Sequence, residues 1–252
     1  MNETGISLLD TLQSAFYYWR KYFLKIAIVG FIVYLPSQIC IEIVSIQLEK
    51  TFPADDPRPI FFLIRFLIDS VALLGITNFI VRKLGNDESG KDSVSDILLL
   101  GIRKWPRFIG VGFIAGFKIL VYSLLLIIPG IYKAVRLLFF DCVISTTDNI
   151  FTDPCSESER LVENNWWKVF GFFLFIFLLQ ILLEFSLIIP LIFISDSFIA
   201  SVFFGVIICI LETYFIVAKA NYYFKLLKTK NVQESKALDN VSIAKSESAN
   251  SN

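Results

Sequence analysis

The chain of 252 residues contains no histidine, and its single methionine is Met1. The usual side chain for proton transfer near neutral pH is therefore missing, as is the commonest nitrogen ligand of zinc. Charge is scarce too: Asp, Glu, Lys and Arg supply 18% of residues, against about a quarter in ordinary soluble domains. Basic and acidic side chains balance at 23 each, so no bulk field gathers nucleic acid. The cysteines Cys40, Cys142, Cys155 and Cys209 show no CxxC spacing, which argues against a disulfide framework or a metal cluster. No Gly-rich phosphate loop, HExxH or GxSxG motif occurs. These absences point away from catalysis, and neither a cofactor nor a metal nor a nucleic-acid partner is expected.

What is abundant is apolar. Hydrophobic residues make up 56% of the chain and the mean hydropathy is +0.67, concentrated in long runs. The expected fold is an all-α polytopic transmembrane bundle. About 20 mostly apolar residues are needed to span a bilayer, and segments 24–47, 60–82, 108–129, 169–193 and 199–223 qualify. Segment 131–148 is a doubtful sixth, because it carries Lys133, Arg136 and Asp141 and is short for a spanning helix. Charge asymmetry favours counting it. With six spans and both termini inside, 1–23, 83–107, 149–168 and 224–252 hold nearly all the loop lysines and arginines, while the outer loops hold Lys50 and Arg58. A multi-pass protein of the plasma (inner) membrane follows, in contact with the lipid bilayer and open to a membrane-protein partner or self-association. The first span reads as a retained anchor rather than a cleaved signal. The membrane domain covers 1–230, and the polar tail 231–252 is expected to be disordered.

Three stretches share a pattern of polar start, apolar stripe and aromatic-basic end. They are ISLLDTLQSAFYYWRKYF (6–23), SVSDILLLGIRKWPRF (93–108) and SESERLVENNWWKVF (156–170). Each reads as an amphipathic helix lying in the cytoplasmic interface, anchored at headgroup depth by Trp19, Trp105, Trp166 and Trp167. The domain becomes three pseudo-repeats starting near 6, 93 and 156, each an interfacial helix followed by a two-helix hairpin. Pro129 and Gly130 read as the tight turn between spans three and four.

Two stretches, IIPGIYKAVRLLFF (127–140) and SESERLVENNWWKVFGFF (156–173), resemble a prokaryotic family of six-span membrane proteins. That family is typified by the membrane domain of some glycerophosphodiester phosphodiesterases. The matching positions are Pro129, Gly130, Ile131, Ala134, Arg136, Asn165, Trp166, Trp167, Lys168 and Gly171. The resemblance implies a six-helix membrane domain, usually without an assigned activity, and does not carry over the soluble catalytic barrel. Asp141 departs from the more apolar helix of typical members.

Ionisable groups at membrane depth are the candidate functional residues, since a charge at a helix centre costs roughly 2.5–3.5 kcal/mol on insertion scales. Arg65 and Asp69 are four apart and can pair on one face. Arg136 and Asp141 are five apart, so each is expected to find a partner on another helix. Lys118, Glu184 and Glu212 lack local partners, and the expected pairing is Lys118 with one of the two glutamates. Lys25 and Lys219 read as snorkelling anchors, and Glu42 as reaching the headgroups. Gly112 and Gly116 form a GxxxG face for close helix approach. The acidic stretch Asp148, Asp153, Glu157, Glu159 and Glu163 reads as a solvated surface. Two functions remain: a non-enzymatic protein that organises the membrane or binds a partner, and a small transporter or permease component with a polar site at mid-membrane.

Overall fold

A computed structural model describes residues 7–51, 58–85, 93–149, 151–193 and 198–250, and every described element is helical. In order these are α1 (Leu8–Lys21), α2 (Phe23–Thr51), α3 (Arg58–Leu84), α4 (Val94–Leu125), α5 (Ile127–Arg136) and α6 (Phe140–Thr146). There follow α7 (Pro154–Val162), a 3₁₀ turn at Glu163–Asn165, α8 (Trp166–Phe193) and α9 (Phe198–Asn250). Five helices, α2, α3, α4, α8 and α9, are long and apolar enough to cross a membrane. The expected all-helical fold is there, and five such helices among the described residues suggest a membrane protein.

Segment 131–148 is not one continuous helix. α5 stops at Arg136, residues 137–139 form a turn, and α6 resumes at Phe140. The break leaves backbone groups without helical partners, and away from water each needs one. Ser158 supplies both: its hydroxyl donates to the Arg136 carbonyl (2.8 Å) and accepts from the Phe139 N–H (3.1 Å). At the end of α6, Asn78 and Lys104 donate to the Ser145 carbonyl and Lys104 also to the Thr147 carbonyl. A buried lysine thus closes the C-terminus of α6, where the helix dipole favours a cation.

Among the described residues the core falls into two large clusters and two small ones. Ile26 and Val29 of α2, Ala72, Ile76, Phe79 and Ile80 of α3, and Val217 and Ala218 of α9 are buried together. Val135, Phe139, Val143, Val162, Phe172 and Tyr222 form the second cluster, around α9. α9 joins the two. Close helix approach occurs at Gly75 and Gly101, where a Cβ would run into the Ile97 and Val71 carbonyls. Gly112 and Gly116 were expected to make that contact. Instead, a Cβ at Gly116 meets nothing within 4 Å and one at Gly112 meets only the Phe140 ring, so the helix face in close contact lies nearer the start of α4.

Local signals also depart from expectation. The chain turns at Leu126, which is extended (φ −164°, ψ 149°), and Pro129 and Gly130 sit inside the first turn of α5. A proline tolerates an early helical position because that N–H has no helical partner. The stretch 93–108 does not form a separate interfacial helix but is the beginning of α4, capped by Ser93. The stretches at 6 and 156 do form separate helices. α1 buries Thr11 and Ala15 because it docks on α9, whose Asn221 amide donates to the Thr11 carbonyl (3.0 Å). α9 continues to Asn250 through a tail with no glycine or proline to stop it, where disorder was expected.

Candidate functional site

A cavity of about 700 Å³ lies among α2, α3, α8, α9 and the α5–α6 turn. Such a volume suits a small-molecule site of roughly 300–1,000 Å³. Its wall contains Arg65, Asp69, Gln180, Glu184, Glu212 and Lys219, all from long apolar helices. Helical spacing puts them there: Arg65 and Asp69 share a face of α3, and Gln180 and Glu184 share a face of α8.

Arg65 is the hub. Its Nε donates to Asp69 Oδ2 at 3.2 Å, and one terminal nitrogen donates to Gln38 Oε1 at 2.8 Å. The other lies 3.9 Å from Glu212 Oε1. Oδ1 of Asp69 is buried with no hydrogen-bond partner among the described residues. Gln180 donates its amide to Glu184 Oε1 at 2.9 Å. Lys219, on the cavity wall, is held by Asp141 Oδ2 at 2.7 Å.

The Arg65–Asp69 pair is thus where the sequence places it, and Arg136 and Asp141 both find partners on other elements. Arg136 faces Glu159 and Glu163 at 4.0 Å each, and Asp141 pairs with Lys219. Lys219 is therefore an interior ion-pair partner, not a snorkelling anchor. Lys118 does not pair with Glu184 or Glu212. It lies on α4 beside Cys155, away from the cavity wall, because α4 packs on α5 and α7 rather than facing α8. The side chain of Glu42 lies outside the described residues. Gln38 and Gln180 were missed. Their signal was present: each is a lone amide in an apolar run, and Gln180 is four residues before Glu184.

Of the tryptophans, three are turned inward. Trp19 donates to Thr213 Oγ1 (3.1 Å), Trp105 to the Leu67 carbonyl (2.8 Å), and Trp166 to the Tyr132 carbonyl (3.3 Å). An indole N–H takes a partner when one is in reach, so these rings join helices. Trp167 alone of the four is fully outward, 77% exposed. The acidic stretch is likewise split. Asp148 is exposed but bonds Lys104 at 3.0 Å, whereas Glu159 is half-buried and holds Lys133 at 2.7 Å. Cys40 is exposed and Cys155 buried.

No family model, curated protein or solved structure matches this chain. The two stretches that carry the family resemblance do meet in space: Tyr132 stacks on Trp166 with ring centroids 5.4 Å apart.

Proposed function

We propose that the protein is a small transporter or permease component that admits a small ligand to the cavity between α3, α8 and α9. The observation that carries this is the cavity itself. A purely structural set of ion pairs would be covered by packed neighbours, whereas this cleft stands partly open. Here Arg65, Glu184 and Glu212 face about 700 Å³ of space. No catalytic step is invoked. A chain with Cys40→Ser and Ile176→Cys tests the reading, Ile176 being on the cavity wall. Reaction of this cysteine with a small thiol reagent, slowed by Leu73→Trp, is the expected result. A cysteine as inert as buried Cys142 would remove the cavity and the proposal with it.

The proposal includes six crossings in the plasma membrane with both termini cytoplasmic, and kinship with the six-span family. Support comes from the path of α5 and α6. Gly130 lies against Ser123, and the Ser145 and Thr147 carbonyls lie on Lys104. The segment therefore returns along α4 from residue 123 to 104, about 28 Å at 1.5 Å per residue, close to the thickness of the hydrocarbon core. The membrane-organising reading draws on a different observation, the exposed apolar apex from Leu124 to Ile128. Under that reading Glu212→Gln leaves function intact; under the transporter reading it abolishes it.

A further inference from the structure

We propose that the ligand is an amphiphile with a cationic head, and that it enters the cavity sideways from the hydrocarbon between α3 and α8. The inference rests on the ligand-cavity reading and adds the chemistry of the ligand and its route.

Charge sets the first half. Three carboxylates line the cavity, Asp69, Glu184 and Glu212, against the cations Arg65 and Lys219. Lys219 is already held by Asp141, which is buried and not on the cavity wall. Arg65 divides its donors among Asp69, Gln38 and Glu212. It has little left for an anion. Glu184 meets the neutral amide of Gln180 and no cation among the described residues. A bound cation gains a carboxylate partner in a site of low dielectric, whereas a bound anion meets like charge. Aromatic faces add to this, for Phe66, Phe172, Phe173 and Phe215 line the same space and attract a cation through their ring quadrupoles.

The mouth sets the second half. Phe66 of α3 and Phe173 of α8 both line the cavity and are themselves surface-exposed, at 51% and 39%. They mark its opening. The surface around them is apolar on both sides: Leu63 and Ile64 on α3, Leu174 and Phe177 on α8, all exposed. α3 and α8 are long and apolar enough to cross a membrane, and in the proposed membrane arrangement that rim faces lipid chains rather than water. A ligand using this door must dissolve in hydrocarbon while offering its charge to the carboxylates.

The test is equilibrium binding to the purified full-length protein in phosphatidylcholine vesicles, corrected by protein-free vesicles. Three probes separate the terms. Tetraphenylphosphonium is a lipid-soluble cation, tetraphenylborate is an anion of the same shape, and tetraethylammonium is a cation confined to water. Saturable binding of tetraphenylphosphonium alone is expected. Glu184→Gln should weaken it about tenfold, the loss of one ion pair worth 1.4 kcal/mol, and Glu184→Gln with Glu212→Gln should weaken it further. Glu184→Gln keeps an amide at the Gln180 contact, so it reads charge even if the double variant does not fold. Equal binding of tetraphenylborate, or no effect of Glu184→Gln, overturns the cationic head; binding of tetraethylammonium but not tetraphenylphosphonium overturns the lateral route. If none of the three binds while Ile176→Cys still reacts, the cavity stands and this inference falls. If the cysteine is inert as well, the underlying reading has failed.

Discussion

Ser158 does with one hydroxyl what a regular helix does with its own ladder. It bridges the Arg136 carbonyl and the Phe139 N–H from a position with no exposed surface. Ser158→Ala leaves both groups buried and unpaired and should cost about 1–3 kcal/mol each way the pair is counted, seen as a lower melting temperature in detergent. A melting point within a degree of the parent would mean that water takes the hydroxyl's place. Asp141 and Lys219 make a second test. Removing one partner of a buried pair strands the other charge, at a cost of about 3–5 kcal/mol. Asp141→Asn or Lys219→Met should each destabilise strongly, and the two together less than either sum. At the exposed end, hydrogen bonding and attraction from Lys104 hold the Asp148 carboxyl below its ordinary value of 3.8. That stabilisation is complete above pH 3.8 and is lost as pH falls through the depressed value. The stability gap between the parent and Asp148→Asn should therefore stay constant from neutral pH down to mild acid and close only in stronger acid.

Among the elements, the crossing of α3 and α4 shows what sequence patterning conveys and what it leaves out. Runs of apolar residues located the five long helices, because length and hydropathy alone decide whether a helix suits a membrane. The glycine pattern misled. GxxxG at Gly112 and Gly116 describes small residues on a face and does not say whether any helix lies there. Gly75 and Gly101, single glycines without a motif, carry the contact because α3 and α4 cross at those points. Gly101→Ala should destabilise by more than 1 kcal/mol, since the carbonyl it meets belongs to backbone and cannot swing aside. Gly116→Ala should be neutral or slightly stabilising, as alanine is the better helix former. Equal effects at the two sites, measured by thermal unfolding, would put the crossing elsewhere. The tryptophans add a second case: Trp19, Trp105 and Trp166 have carbonyl or hydroxyl partners that only the fold brings within reach.

At the scale of the whole molecule, α9 is the common wall: it contributes to both buried clusters, carries Glu212 and Lys219 on the cavity, and receives α1 at Asn221. The candidate site was half legible. Arg65, Asp69, Glu184 and Glu212 stood out because ionisable groups are rare in apolar runs, and Arg65 with Asp69 could be paired by spacing. Which cation served which carboxylate was not legible, because that depends on helix order around the bundle. Lys118 was assigned to the wrong neighbours for that reason. Topology now calls for introduced cysteines, since Cys155 is buried. In a chain carrying Cys40→Ser, the thiols of Asp148→Cys and Ile128→Cys should be labelled from opposite faces of the membrane if α5 and α6 cross. Labelling from one face would make that segment re-entrant.

The helix break between α5 and α6 also has a consequence in time. The hydroxyl that completes it belongs to a residue 19 positions later than Phe139. A nascent chain reaches Phe139 and Asp141 before it contains Ser158 or Lys219. On the proposed six crossings, this segment would therefore meet the translocon with open backbone groups and an unpaired carboxylate, and its settling would wait for α7 and α9. Chains truncated near residue 153 should leave the segment uninserted, and chains extended past Lys219 should carry it across, in an order opposite to simple sequential insertion.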